Sequence, residues 1–157
     1  MKLRLLCVGK LSLSHARDGV EEFSKRLKRY LPFETLELRE EKGGKKADPG
    51  YIRERESEQL LNRVPDGAFL VVLDERGKGC TSEKLAQLID RHMTSGTSEM
   101  VWVIGGAYGI SEKLRQRADL LLSLSQMTFT HQMARLLLME QLYRALTIIR
   151  NEPYHNR

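Results

Sequence analysis

The sequence predicts an α/β fold built on a mostly parallel sheet flanked by helices, and three features carry that expectation. Short aliphatic or β-branched runs alternate with longer segments whose apolar residues fall three or four apart, the rhythm of strands and covering helices. The strand-like runs are almost continuously apolar, which fits burial on both faces, as in a parallel sheet. No internal repeat breaks the alternation, and 157 residues suit one core, so residues 1–157 are read as a single domain.

The first strand is expected at Leu3 to Val8, and Val20, Phe23, Leu27 and Tyr30 mark one face of the helix that follows. A second strand at Phe33 to Leu38 leads into Glu40 to Gly50, where Gly43-Gly44-Lys45-Lys46 and Pro49 predict a mobile basic loop. Ile52, Leu60, Leu61 and Val64 mark the second helix, ahead of a third strand at Phe69 to Leu73. Leu85, Leu88, Ile89 and Met93 mark the third helix, with Thr81 or Ser82 placed to cap it. A fourth strand at Met100 to Ile104, a short helix opened by Ser111 and running through Ala118, and a fifth strand at Leu120 to Ser123 complete the alternation.

The final helix, about His131 to Arg150, differs from the rest. Met133, Leu136, Leu137, Leu138, Met139, Leu142, Tyr143, Leu146, Ile148 and Ile149 spread around most of its circumference, so it must be buried on several sides. A short chain has few elements left to cover it, and a homodimer is the economical expectation; a central helix of a monomeric core is the alternative.

Composition removes several classes. A hydrophobic fraction of 41% with 30% charged residues is that of a globular protein. The longest strictly apolar run, Ala68 to Leu73, is far short of the roughly 20 residues of a membrane helix, and the first ten residues alternate too early for a signal peptide. Cys7 and Cys80 make neither a disulfide framework nor a zinc site, which fits a cytoplasmic protein. A net charge of +5 and a pI near 9.3 fit either a polyanionic partner or simple solubility.

Three strand ends share one pattern, an apolar run followed by a special loop: Leu73 before Asp74-Glu75-Arg76-Gly77-Lys78, Ile104 before Gly105-Gly106-Ala107-Tyr108-Gly109, and Ser123 before Leu124-Ser125-Gln126-Met127-Thr128-Phe129. Loops after parallel strands converge at the carboxyl edge of a sheet, where ligands bind. The glycines lack dinucleotide-fingerprint spacing and the chain has no phosphate-binding loop motif, which weakens a nicotinamide oxidoreductase. Neither a close carboxylate pair nor a hydrolase triad is present, and the third loop carries no metal ligands. His131 and Arg135 share a helix face; Arg135 and Glu140 read equally well as functional groups or as a structural ion pair. The ending Asn151 to Arg157 is too polar to extend the core. It combines a tyrosine, an imidazole and an arginine, so Tyr154 and His155 can stack on bases and bind phosphates, although for an arbitrary protein a frayed tail is the better reading; truncation is expected to cost little stability.

At these residues the sequence resembles the ribosomal RNA large-subunit methyltransferase H (RlmH) family over essentially its whole length. The resemblance is carried by Met1-Lys2-Leu3 with Val8-Gly9, Lys45-Lys46-Ala47-Asp48, Val72-Leu73-Asp74 with Gly77-Lys78, Ile104-Gly105-Gly106 with Gly109, and Ser123-Leu124-Ser125 with Met127-Thr128. The run from His131 through Arg135-Leu136-Leu137-Leu138 and Glu140-Gln141-Leu142-Tyr143-Arg144-Ala145 to Pro153-Tyr154-His155 is its most specific part. The resemblance implies a SPOUT fold with a C-terminal trefoil knot, a homodimer and S-adenosyl-L-methionine as cofactor. It implies N3-methylation of a pseudouridine in the intersubunit-bridge hairpin of 23S ribosomal RNA on assembled ribosomes, so the partner is the ribosome and neither DNA nor a membrane.

Carried over by position, the cofactor contacts fall on Leu73, Gly105, Leu124, Ser125, Gln126, Met127, Thr128 and Phe129, with no metal. His131, Arg135, Tyr154 and His155 are the candidates for catalysis, the cations or a base favouring loss of the imide proton. The chain departs from the family in having Thr130 where proline is usual, and in continuing past His155 with Asn156-Arg157. Threonine can cap a helix that proline would otherwise start. A catalytically silent RNA-binding module is the rival reading, distinguished by cofactor binding.

Overall fold

The computed structural model describes residues 1–43 and 48–156, so the predicted basic loop lies partly outside the described residues. Five strands, β1 (Lys2–Val8), β2 (Phe33–Leu38), β3 (Phe69–Lys78), β4 (Glu99–Ile104) and β5 (Leu120–Leu122), alternate with five helices. These are α1 (Ser14–Leu27), α2 (Pro49–Leu61), α3 (Ser82–Thr94), α4 (Glu112–Arg117) and α5 (His131–Ile149). All strand pairs are parallel, in the order β2-β1-β4-β3-β5.

Side-chain alternation splits the interior into two layers. Leu3, Leu5 and Cys7 of β1 and Met100, Trp102 and Ile104 of β4 face one core, covered by α1, α3 and α5. Leu6, Val8, Val101 and Val103 face the other, where Leu60 of α2 and Leu114 of α4 close it. The near-continuous apolar strands are therefore buried on both sides.

Helix starts follow the capping residues. Asp48 accepts from the Tyr51 amide at 2.7 Å with Pro49 at the first helical position, Thr81 from Lys84 at 3.2 Å, and Ser111 from Leu114 at 3.1 Å. Thr130 accepts from the Met133 amide at 3.2 Å, so it caps α5 as a threonine in that place should. α1 ends at Leu27 and α2 at Leu61, which leaves Tyr30 and Val64 in the turns beyond.

Two features depart from expectation. β3 continues to Lys78 instead of ending at Leu73: both Leu73 and Lys78 pair with Leu122, so the residues between them leave the regular ladder. Gly77 permits this, since a Cβ there would lie 2.7 Å from the Leu121 carbonyl carbon. Secondly, α5 is covered inside its own chain. It lies against both α1 and α3 as well as the sheet, burying Leu138, Met139, Leu142, Ala145 and Leu146, while Met133 and Leu137 stay half-buried. Because α4 and α5 cover opposite faces, the segment 123–130 must cross the carboxyl edge of the sheet.

Candidate functional site

At that edge the ends of β3, β4 and β5 open a cleft of about 640 Å³, a size that suits a cofactor. Leu73 to Glu75, Ile104 to Ile110 and the segment after Leu122 form its walls. The glycine loop is tight. Gly109, at φ +85°, donates its amide to the Gly106 carbonyl at 3.1 Å, and a Cβ on Gly105 would lie 2.7 Å from Ile110 Cγ2 and 3.0 Å from the Gly109 carbonyl oxygen. A Cβ on Gly106 would run into the Glu56 carboxylate behind the loop. In the third loop Ser123 Oγ donates to the Ser125 carbonyl at 2.9 Å, and Ser125 Oγ accepts from the Met127 amide at 2.9 Å. Two local hydroxyl turns thus fix its backbone.

Two carboxylates, Asp74 on the wall and Glu56 behind it, are shifted in opposite directions. Burial pushes Asp74 up, but the Arg76 amide at 3.0 Å and Arg115 Nε at 2.5 Å outweigh it and hold Asp74 below the usual aspartate value. Burial also raises Glu56; here the one compensating bond, from the Glu41 amide at 3.1 Å, does not offset it, and Glu40 and Glu41 add repulsion. Cys7 is no nucleophile, because burial pushes its thiol up to about 12.

Leu73, Gly105, Leu124, Ser125, Met127, Thr128 and Phe129 all line the cleft; Gln126 belongs to the same loop but is exposed and outside the lining. His131 lines it too, with a buried Nδ1 that has no hydrogen-bond partner among the described residues. Arg135, one turn on, faces away. Its side chain is 1% exposed, Nη1 meets Glu37 Oε2 at 2.5 Å, and Nη2 donates to the Gly9 carbonyl at 3.0 Å. It is an ion pair, with Glu37 as partner in place of the Glu140 weighed from sequence.

Tyr154 and His155 are outside the cleft lining as well. The tail folds back: the Tyr154 ring stands edge-on to Tyr143 at 4.6 Å, its hydroxyl donates to Glu140 at 3.0 Å, and Arg144 lies over its face at 4.7 Å. His155 Nε2 lies 3.1 Å from Glu83 on α3. The expectation of a tail indifferent to stability therefore gives way to a docked one.

Sequence reasoning missed the Asp74–Arg115 pair, Glu56 and Gln132. Gln132 Oε1 accepts from the Ser12 and Leu13 amides at 2.9 and 3.0 Å, fastening the β1–α1 loop to α5. A polar residue in an apolar helix next to a capped start was the only signal available. Among the described residues no cluster could hold a metal ion, and no helix is long and apolar enough to cross a membrane.

A parallel sheet with a cofactor-sized cleft across the loops of three strands fits the SPOUT methyltransferases. Residues 1–155 match the family model described as predicted SPOUT methyltransferase. Two solved structures share the fold. One is a probable methylase family protein from Haemophilus influenzae Rd KW20 (TM-score 0.53, 12% identity, 99% of this chain and 70% of that one). The other is a probable methyltransferase from Bordetella pertussis Tohama I (TM-score 0.52, 16% identity, 92% and 96% covered). Sequence narrows the class. The chain is 57% identical over 157 residues, all of both proteins, to the ribosomal RNA large subunit methyltransferase H of Syntrophotalea carbinolica. It is 50% identical over 156 residues, 99% of each, to that of Citrifermentans bemidjiense. The protein belongs to the ribosomal RNA large subunit methyltransferase H family.

Proposed function

We propose that the protein transfers a methyl group from S-adenosyl-L-methionine to N3 of a pseudouridine in the intersubunit-bridge hairpin of 23S ribosomal RNA. It acts on assembled ribosomes in the cytoplasm, as a homodimer of one SPOUT domain spanning residues 1–157. The observation that carries this reading is the single cleft in which the loops after β3, β4 and β5 meet, in a member of this methyltransferase family.

The residues present suit the cofactor. Leu73, Ile104 and Leu122 give an apolar wall for an adenine ring, and the fixed backbone and hydroxyls of residues 123–130 can bond its edge and a ribose. Glu75, exposed on the same wall, puts negative charge near where a sulfonium or an ammonium group would sit, while the Asp74 carboxylate is already held by Arg115. When bound, S-adenosyl-L-methionine supplies an electrophilic methyl group, and no metal is needed. The protein's part is placement of the target nitrogen and exclusion of water. His131, on the cleft wall, is the residue we assign to favouring loss of the imide proton. Arg135 supports the site by fixing the start of α5. Tyr154 and His155, outside the lining, serve the RNA side.

The homodimer is supported by apolar side chains around the start of α5: Leu13, Met127 and Phe129 are exposed, and Met133 and Leu137 half-covered. Residues 123–130, crossing from the β5 edge to α5 between α1 and α3, are where the trefoil knot of this reading would thread. Mass spectrometry of ribosomal RNA from a strain lacking the gene tests the function. One methylated pseudouridine should disappear and return on complementation; an unchanged set of modifications refutes the assignment.

A further inference from the structure

A second groove, of about 680 Å³, opens between α1, β2 and the β1–α1 loop. Arg17, Glu21, Ser24 and Lys28 follow one another at three- and four-residue spacing, forming one stripe along α1 and its cap. Lys10 joins them from the loop, and Glu37 from β2. Both carboxylates are already engaged, Glu37 by Arg135 at 2.5 Å and Glu21 by Lys25 at 3.3 Å. Lys10, Arg17 and Lys28 are exposed and have no ion-pair partner among the described residues.

We propose that this groove holds the phosphodiester backbone of the RNA substrate, with Lys10, Arg17 and Lys28 as the phosphate contacts. The inference rests on RNA being the substrate. Long, mobile cations on the rim of a concave surface suit a run of phosphates better than one small anion, which needs a fixed cradle. The stripe from Arg17 to Lys28 is about 16 Å long at 1.5 Å per residue, enough for several nucleotides at about 3.4 Å each.

Placement adds to charge. The first turns of α5 separate the two concavities: His131 and Ala134 line the cofactor cleft, and Arg135 lines the groove. Gln132, between them, ties down the loop that carries Lys10, its Nε2 donating to Ser12 Oγ at 2.8 Å as its Oε1 accepts the two loop amides. A strand lying in the groove is thereby set beside the cleft, where an unpaired base can turn in.

The test uses the full-length protein, ribosomes from a strain lacking the methyl group, and a labelled RNA of the target hairpin. In the triple variant Lys10→Ala, Arg17→Ala, Lys28→Ala, KM for ribosomes should rise about tenfold or more. The slope of log K against log salt for the hairpin should flatten by about 2, at roughly 0.7 per lost phosphate contact. The value of kcat and the calorimetric affinity for S-adenosyl-L-methionine should stay near wild type. A control triple on the opposite face, Arg55→Ala, Lys113→Ala, Arg117→Ala, should change neither KM nor slope. An unchanged KM and slope in the groove variant, or an equal loss in the control, overturns the groove. If wild-type protein methylates nothing yet the groove variant still flattens the salt slope, the groove stands and the enzymatic reading fails.

Discussion

The two concavities flanking the start of α5 are built from opposite materials. The cofactor cleft joins an apolar wall to backbone, glycines and short hydroxyl side chains bonded among themselves: Gly109 to Gly106, Ser123 to Ser125, Ser125 to Met127. The groove beyond α1 has an ion pair between the buried Arg135 and the exposed Glu37 under a rim of exposed cations. A small ligand of fixed shape calls for the first, because misplacement by an ångström is costly in a preorganised site. A long polyanion is served by the second, since phosphate attraction tolerates variable geometry.

Removing the ion pair should have the largest effect on this contrast. Arg135→Ala leaves the Gly9 and Val8 carbonyls without their donor and opens a cavity where a fully buried side chain stood, and is expected to cost about 3 kcal/mol in urea denaturation. A loss below about 1 kcal/mol would mean that the groove floor does not depend on that pair.

Next comes the glycine loop. Gly105→Val should weaken S-adenosyl-L-methionine binding about 100-fold, or roughly 2.8 kcal/mol. The first clash of its Cβ is with Ile110 and the Gly109 carbonyl, so the loop itself is distorted and some stability should go with the affinity. Calorimetry showing wild-type affinity would place the cofactor elsewhere.

The docked tail should rank third. A chain ending at Pro153 loses the Tyr154–Tyr143 ring contact and the bond to Glu140, about 2 kcal/mol together, which a thermal melt would show as a lower Tm. An unchanged Tm would restore the reading of a tail devoted to RNA.

The smallest effect sits behind the cleft. Burial raises Glu56 above its ordinary 4.5, so the folded state holds the proton more tightly and stability falls as pH rises through and above that value. Glu56→Gln should therefore give a small gain in Tm at pH 7 that fades as pH drops toward 4.5. A gain that is independent of pH would rule out titration as its cause.

The strands were legible because burial on both faces leaves uninterrupted apolar runs, and helix starts were legible because Thr81, Ser111 and Thr130 cap through local bonds. The three loops of the cleft could be picked out by their position after strands, and the family resemblance chose the same positions. What escaped depends on partners distant in sequence. Arg135 meets Glu37 across 98 residues and His155 meets Glu83 across 72, and no local pattern encodes such pairs. The continuation of β3 to Lys78 escaped for a related reason, since a charged run reads as a loop until β5 lies beside it.

The position of α5 between α1 and α3 also fixes when the molecule can finish folding. α5 is synthesised after the five strands and the four other helices described, yet it fills the middle of one face of the sheet. A nascent chain that has emerged only to residue 130 carries all five strands and four of the five helices, with Trp102 and Leu5 deprived of part of their cover. At about 5 to 20 residues per second, that strip stays bare for a second or more. Premature termination in the segment 123–130 is therefore expected to release an aggregation-prone fragment, not a smaller working protein.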